Sequence, residues 1–435
     1  MYDKMSAVEI SRIIRKREAK PSEICADFLA QIDNLNSQIN AFITIDKDAV
    51  LSRARELDEL QSSGGALTAM FGLPVAIKDN ICTRDLPTTC ASQMLENFCP
   101  PYDATVVSRL RENGAIILGK TNMDEFGISA NGTLSEGNAN AVTSGMVPLA
   151  IGNDYCGVVG YKPTYGAISR YGVISCSGSF DTVGTTTRTV ADAALLASAI
   201  SGHDPYDATS NPKYTPDFSN IIEAKDFSLK GKKIGILKEF LADDRHAVVS
   251  KAAEIYESLG ADIVEVSIPA IEYAMAAYYT IAFAETSSNL SKFDGMQFGK
   301  RSQNFSDIDS LYINSRTEFL GEEVKQRIIL GTYTLMAGNY DDYYKKARAA
   351  QQLLREQFKA AYAECDIMLT PMSFSSDIFA VPANVVRLPT VSVPFSKDAD
   401  ESPMSVQLIG KHFDDVQLMA FAQALESAIS GGESI

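Results

Sequence analysis

The chain is short of the residues on which several common kinds of site are built. Its seven cysteines are scattered and odd in number, with no C-x-x-C spacing, which argues against a disulfide framework and a zinc site. Its three histidines, His203, His246 and His412, lie far apart and outside any H-E-x-x-H pattern. No G-x-x-x-x-G-K-[ST] or G-x-G-x-x-G sequence follows a strand, so a nucleotide site is not expected. We therefore expect no metal and no cofactor.

Positive charge and long apolar runs are scarce as well. Lysine and arginine number 39 against 55 acidic residues, a formal charge of −16 that repels a phosphate backbone. Direct nucleic-acid binding is not expected, and contact with RNA would need a basic partner. No run of 18 apolar residues occurs, and the first 20 residues are charged and amphipathic, unlike a signal peptide. We expect a cytoplasmic protein without a membrane segment.

The chain does have enough hydrophobic residues, 46%, for a large core. The first 60 residues predict helices: Val8, Ile10, Ile13 and Ile14 form one apolar face, and a second helix begins near Ser22. Beyond them apolar runs alternate with helical patterns, as in "LPVAIKDNI", "ATVVSRLRENG" and "AIILGKTN", and again from Lys232 onward. This alternation predicts an α/β fold, a sheet with helices on both faces, in one continuous domain.

Lys78 is the first candidate for a functional residue, because it lies inside the apolar strand "GLPVAIKDNI". A lysine in such a place is either a charge on an edge strand or a buried amine. Burial lowers the pKa of an amine, and buried lysines serve as general bases. Its position alone leaves both interpretations open.

Five segments in a fixed order give the chain a wider resemblance. Together they strongly resemble the amidase signature family, and within it the branch of the tRNA-dependent amidotransferase A subunits: "FGLPVAIKDNI", "GAIILGKTNMDEFG", "CGVVGYKPTYGAISRYGV", "SFDTVGTTTRTVADAALL" and "LGTYTLMAGNYDDYYKKA". The resemblance implies the amidase-signature fold, a large mixed sheet covered by helices on both faces, over residues 1–435. Its parts would be N-terminal helices (1–60), a signature core with deletions (61–200) and the rest of the sheet with a C-terminal helix (201–435).

The resemblance also implies a Ser, cis-Ser, Lys triad. In that chemistry the lysine deprotonates a bridging serine, which activates the nucleophilic serine, and an acyl-enzyme forms and is hydrolysed. Glutamine is the ammonia source in the A-subunit branch. Lys78 matches the lysine of this triad.

The other two triad members do not match. Where the family has G-G-S-S-G-G-S-A-A-A-V, this chain reads "GTLSEGNANAV", which places Leu134 at the bridging serine. A leucine cannot accept or pass on a proton. Ser135 is next to it, but Glu136 and Asn138 replace a glycine and a serine there.

The nucleophilic serine falls in a stretch that this chain lacks. Where the family reads G-S-D-T-G-G-S-I-R-Q-P-A-A-Y-C-G-V-V-G, the chain goes from "IGND" to "YCGVVG". The missing piece holds the nucleophile and the turn that forms the oxyanion hole, of which one donor alone is worth about 2.7–4 kcal/mol. Cys156 adjoins the gap and is either a replacement nucleophile or a small buried apolar residue.

The substrate-binding residues are only partly kept. Gln351 stands where the family's arginine anchors the glutamine α-carboxylate, and Arg348, one helical turn earlier, is the alternative anchor. Asp377 matches the aspartate that holds the substrate amino group, although a helix-capping role explains it equally well. Glutamine binding is therefore doubtful.

We expect a catalytically inactive homologue of the A-type chain of the amidotransferase, a scaffold or regulatory protein. Its partners would resemble the B and C subunits of the amidotransferase. The alternative is an active amidase or amidotransferase subunit with a rewired site, in which Lys78 works with Ser135, Ser144 or Cys156 and the protein supplies ammonia for Glu-tRNA(Gln) amidation.

Overall fold

The computed structural model describes residues 1–128, 137–152, 158–225, 227–241, 246–373, 378–397 and 403–431. Its strands are β1 (Phe42–Thr44), β2 (Pro74–Lys78), β3 (Ile116–Thr121), β4 (Leu149–Gly152), β5 (Val159–Lys162), β6 (Gly184–Thr187), β7 (Lys233–Leu237), β8 (Asp262–Val266), β9 (Ile367–Ser373), β10 (Thr390–Lys397) and β11 (Pro403–Ile409).

Helices connect and cover these strands. They are α1 (Ala7–Arg15), α2 (Pro21–Ile39), α3 (Lys47–Ser62), α4 (Thr105–Glu112), α5 (Gly137–Thr143), α6 (Val190–Ile200), α7 (Ser219–Ile222), α8 (His246–Ser258), α9 (Ala274–Asn289), α10 (Ile308–Phe319), α11 (Glu322–Leu335), α12 (Lys346–Ala361), α13 (Val381–Val386) and α14 (Asp415–Gly431). In the part of the chain so described, no helix is both long and apolar enough to span a bilayer.

All eleven strands form one mixed sheet, in the order β1-β3-β2-β4-β6-β5-β10-β11-β9-β7-β8. Strand β2 is parallel to both β3 and β4, whereas β6 is antiparallel to its neighbours β4 and β5. Consequently β2, β3, β4 and β5 all run in the same direction, and their carboxyl ends lie at one edge of the sheet. The expected mixed α/β architecture is confirmed.

Local sequence explains where the first helices begin. Ser6 accepts a hydrogen bond from Glu9 N, while the Glu9 carboxylate accepts one from Ser6 N, a capping box that starts α1. Pro21 occupies the first position of α2, where its missing N–H costs nothing. The predicted apolar face of α1 is buried at Val8, Ile10 and Ile14.

Side-chain alternation along β9 shows that helices cover both faces of the sheet. Ile367 and Leu369 belong to a core formed with α6, α8 and α14, whereas Met368 between them belongs to a core formed with α12 and α13. Because neighbouring residues of a strand point to opposite faces, these two cores lie on opposite sides of the sheet.

Helix α11 packs very closely against α9. A Cβ added to Gly331 would lie 1.9 Å from Phe283 O and 2.9 Å from Ser287 Cβ. Only glycine permits this approach of the two helix backbones.

Two carboxyl groups, that of the buried Asp192 and that of the partly buried Glu426, tie distant helices to α6. Asp192 Oδ1 accepts a hydrogen bond from Val8 N at 2.8 Å, and Glu426 Oε1 accepts one from Val190 N at 2.9 Å. Asp192 is fully buried, and burial is the main cause that raises its pKa to about 6. Burial likewise raises the pKa of Glu426 to about 7.

Gly331→Ala is expected to lower the free energy of unfolding by about 1–3 kcal/mol, because the added methyl group forces α9 and α11 apart. Urea unfolding would measure this change. Gly338→Ala is the matched control, since an added Cβ at Gly338 meets no atom within 4 Å. Equal effects of the two substitutions would contradict the packing argument.

The buried Asp192 is expected to make stability fall as pH rises from about 4 to about 6. In this range the folded state keeps a proton that the unfolded chain, with an ordinary pKa near 3.9, releases. The full effect corresponds to about 3 kcal/mol. Urea unfolding at several pH values should show a smaller slope for Asp192→Asn, and parallel slopes would refute the assignment.

Candidate active site

Lys78 is the last residue of β2 and lies at the shared carboxyl edge of the parallel strands. It pairs with Thr121 of β3, and its predecessor Ile77 pairs with Ile151 of β4. Ligands of α/β sheets bind at this edge, outside the carboxyl ends of the strands. Lys78 is half-buried there.

Asn138 occupies the space beside Lys78. A Cβ added to Gly152 would lie 2.1 Å from Asn138 Nδ2 and 3.0 Å from Lys78 Cδ, so both side chains pack against this glycine. Asn138 is fully buried, donates from Nδ2 to Ile151 O at 3.1 Å and accepts at Oδ1 from Thr121 Oγ1 at 2.5 Å. A buried amide therefore stands where the resemblance places a serine.

A buried ion pair lies next to Lys78: it joins Asp79, the following residue, to Lys120 of β3. Lys120 Nζ is 3.5 Å from Asp79 Oδ1, and neither side chain has any solvent exposure. Lys120 also donates to Ile81 O at 2.6 Å and to Thr88 Oγ1 at 2.9 Å. Burial lowers the pKa of Lys120 and raises the pKa of Asp79, since both charged forms are desolvated.

No role for this pair is predicted from the sequence, although the signal is present there. Lys120 interrupts the apolar strand "AIILGKTN" just as Lys78 interrupts "LPVAIKDNI". The structure separates their roles: Lys120 is fully enclosed and ion-paired, whereas Lys78 reaches the sheet edge.

Residues 174–181, which we call the serine loop, extend from the lysine across the site. Ile174 N donates to Asn80 O at 2.8 Å, two residues after Lys78. Asp181 Oδ2 accepts from Ser175 Oγ at 2.6 Å and from two backbone N–H groups of the loop at 3.1 Å. Burial raises the pKa of Asp181 to about 6. The loop is thus held by its own carboxyl group.

Glu285 of α9 holds the middle of the serine loop. Its carboxylate accepts from Ser177 Oγ at 2.9 Å and from Ser179 N at 2.8 Å. Neither Asp181 nor Glu285 was predicted as a site residue. The partners of Glu285 become its neighbours only through the fold, whereas those of Asp181 lie within six residues of it in the same loop.

Two of the residues considered for substrate binding, Arg348 and Gln351, lie on α12. Gln351 is fully buried and donates from Nε2 to Val385 O at 2.8 Å, which makes it a packing residue between α12 and α13. Arg348 is exposed on α12, one turn before Gln351. Asp377 lies outside the described residues.

Of the replacement nucleophiles considered, only Ser144 is described. It follows the far end of α5, next to Gly145, which packs near the backbone of Asp3. The other end of α5 carries Asn138, so the helix separates Ser144 from Lys78. Leu134, Ser135 and Cys156 lie outside the described residues.

Comparison with known proteins gives a consistent set of matches. The Amidase family model matches residues 23–136 and 130–419. The glutamyl-tRNA(Gln) amidotransferase A subunit of Caldanaerobacter subterraneus subsp. tengcongensis is 38% identical over 470 positions, which cover 97% of this chain and 95% of that protein. An alignment of 470 positions exceeds the 435 residues of the chain, so that relative carries segments that this chain lacks.

Solved structures show the same similarity. The glutamyl-tRNA(Gln) amidotransferase A subunit of Thermotoga maritima is 31% identical with a TM-score of 0.77, covering 98% of this chain and 95% of that one. Native peptide amidase of Stenotrophomonas maltophilia is 25% identical with a TM-score of 0.83, covering 99% and 98%. The expected resemblance is confirmed.

Asp79→Asn is expected to destabilise the fold by about 3–5 kcal/mol, because it leaves the Lys120 ammonium buried without a counter-charge. The double variant Asp79→Asn, Lys120→Met should recover a large part of that loss. Chemical unfolding of the single and double variants measures both effects.

The exposed pair of Lys346 and Asp342 provides the control. Its side chains are 72% and 69% exposed, so solvent screens the interaction and Asp342→Asn should leave stability unchanged. A loss in Asp79→Asn no larger than in this control would show that the buried pair does not support the site.

Proposed function

Because this chain belongs to the amidase signature family, we propose that it is a non-catalytic homologue of the glutamyl-tRNA(Gln) amidotransferase A subunit, with a scaffold or regulatory role. The observation that carries the proposal is Leu134 at the place of the family's bridging serine, because an alkyl side chain cannot take a proton from Lys78. The described residue that packs with Lys78 against Gly152 is Asn138, a buried amide. A carboxamide cannot deliver a proton from the lysine to a nucleophile at neutral pH, since it neither gains nor loses one there.

The contacts of Asn138 support this interpretation. Its oxygen accepts from Thr121 and its nitrogen donates to Ile151 O, so it joins the ends of β3 and β4 beside β2. The residue thus stabilises the sheet edge beside Lys78, at a position where the family has a serine other than the bridging one.

The length of the chain between β4 and β5 also supports it. These strands run in the same direction on either side of β6, and only residues 153–158 separate them in sequence. Connections between parallel strands usually need a dozen or more residues. Few residues are therefore left there for a nucleophile and an oxyanion hole.

An active subunit with a rewired site is the second candidate. It is favoured by the retained Lys78 at the carboxyl edge of the sheet and by relatives that are A subunits of the amidotransferase. In this case Ser135 or Cys156 would have to supply the nucleophile, since α5 separates Ser144 from the lysine.

We propose that its partners resemble the B and C subunits of the amidotransferase. The net charge of −16 leaves contact with tRNA to such a partner. This role requires the intact framework of strands and helices. It does not require the hydrolysis of an amide.

Ammonia release from glutamine, asparagine and simple aliphatic amides tests the proposal, using the protein alone and with candidate partner subunits. We expect the wild type to release no more ammonia than Lys78→Ala, because no proton relay to a nucleophile remains. Thermal unfolding confirms that both proteins are folded.

Lys359→Ala is the matched control, because Lys359 is an exposed lysine on α12. Turnover present in the wild type and in Lys359→Ala but lost in Lys78→Ala would overturn the proposal. It would establish the rewired site instead, and Ser135 and Cys156 would be substituted next.

A further inference from the structure

A cavity of about 460 Å³ lies between two segments that are far apart in the sequence, residues 94–102 and residues 292–300. We call it the aromatic pocket. Its described walls are mainly apolar and include Met94, Leu95, Phe98, Tyr102, Phe293 and Phe298. A cavity of this size with mostly apolar and aromatic walls is typical of a small-molecule site.

The second of these segments is fixed on the first by close backbone contacts. Lys300 N donates to Met94 O at 2.8 Å. Gly299 has a φ of 89°, a left-handed value, and a Cβ added to it would lie 2.4 Å from Met94 Sδ. Glycine is therefore required at this position, and the wall of the aromatic pocket is built into the fold.

Aromatic side chains of the pocket remain open to solvent. Phe98, Tyr102 and Phe298 are 36%, 42% and 56% exposed, whereas Met94 and Leu95 are buried. Phe298 is held by a turn in which Gly295 N donates to Phe298 O at 3.0 Å. Aromatic rings attract one another in offset or edge-to-face arrangements. The exposed rings therefore provide contacts for the ring of a ligand.

Lys292 brings positive charge to the aromatic pocket. It is one of the lining residues, and its Nζ lies 5.2 Å from the centre of the Phe293 ring. Cys82, which also lines the pocket, feels this charge: burial raises the pKa of the Cys82 thiol, and the charges of Lys120 and, less strongly, Lys292 oppose that rise. The ammonium group of Lys292 thus acts on the inner wall.

A second lysine lies at the same opening. Lys300 forms an ion pair with Glu96, and both residues line the pocket. Their side chains are 42% and 53% exposed, so solvent screens the pair and it contributes little free energy. A ligand carboxylate can therefore share the Lys300 ammonium at little cost. Among the described lining residues, two lysines face one acidic group, in a chain with 55 acidic and 39 basic residues.

The aromatic pocket and the Lys78 side chain lie on opposite sides of the sheet. Lys78 pairs with Thr121, which bonds to Asn138, so these three side chains share one face. Lys120, the neighbour of Thr121 in β3, points to the other face and donates to Ile81 O at 2.6 Å. The residue after Ile81 already lines the pocket. The pocket is therefore distinct from the candidate active site.

We propose that the aromatic pocket binds a small aromatic acid, that is, a carboxylate carried on an arylalkyl group. The ring packs among Phe98, Tyr102 and Phe298, and the carboxylate accepts a hydrogen bond from Lys292 Nζ. A lysine ammonium is a compact charge on a flexible stem, so it can follow acids of different length. Binding uses neither Lys78 nor a nucleophile. The site therefore goes beyond the proposed function and does not depend on whether the chain hydrolyses amides.

Titration with sodium 4-phenylbutyrate tests the pocket, with sodium butyrate and 4-phenylbutan-1-ol as analogues. We expect phenylbutyrate to bind with a dissociation constant of about 1 mM or below by calorimetry, and to raise the melting temperature. Butyrate lacks the ring and the alcohol lacks the charge, so each should bind at least tenfold more weakly. No heat and no thermal shift with phenylbutyrate at about 10 mM would overturn the proposal, as would equal binding of either analogue.

Lys292→Gln tests the role of the charge. Lys292 is exposed, so the fold should be kept, and the variant should lose the preference for the acid over the alcohol. Lys251→Gln, an exposed lysine on α8, is the matched control and should bind phenylbutyrate as the wild type does.

Phe298→Ser tests the role of the rings and should lose most of the preference for phenylbutyrate over butyrate. Phe305→Ser is the matched control, because Phe305 is 48% exposed and is not among the described lining residues. Thermal unfolding checks that all four variants are folded. Unchanged binding of phenylbutyrate in Lys292→Gln or in Phe298→Ser, or an equal loss in its control, would place the ligand elsewhere and refute the site.

Discussion

The buried pair of Asp79 and Lys120 is the interaction on which the candidate site depends. Each of its members is next in sequence to a residue of the sheet edge: Asp79 follows Lys78, and Lys120 precedes Thr121, which donates to Asn138. Buried ion pairs add little net free energy compared with apolar residues of the same size. We infer that the pair serves chiefly to fix the relative position of β2 and β3, and with it the surroundings of Lys78.

Much of the fold could be predicted because its signals are local. Strands such as β2, β3 and β9 show short apolar runs, and α1 and α2 show helical spacing with a capping box or an N-terminal proline. The strands that the sequence analysis did not find, β4, β5 and β6, have four residues each. They are strands because of the neighbours with which they pair, and these are not visible in a short stretch of sequence.

Residues of the site could be predicted only where a single residue stands out from its own stretch of sequence, as a charge within an apolar strand does. Lys78 was found because a charge in an apolar strand is conspicuous, and Lys120 carried the same signal without being assigned a role. Glu285 could not be found, since its bonds to Ser177 and Ser179 join α9 to a loop more than 100 residues earlier in the chain. Gln351 was placed correctly in the helix, but its bond to Val385 O appears only when α12 meets α13.

The two carboxyl groups that hold α6 also have a consequence for biosynthesis. Asp192 is 184 residues from its partner Val8, and Glu426 is 236 residues from Val190. During synthesis the Val8 N–H of α1 can therefore bond to Asp192 only after α6 has left the ribosome. The Val190 N–H, in the first turn of α6, can bond to Glu426 only after α14 has been made. Contacts so distant in sequence slow folding and leave apolar faces exposed meanwhile. The nascent chain should thus depend on chaperones until α14 has been made.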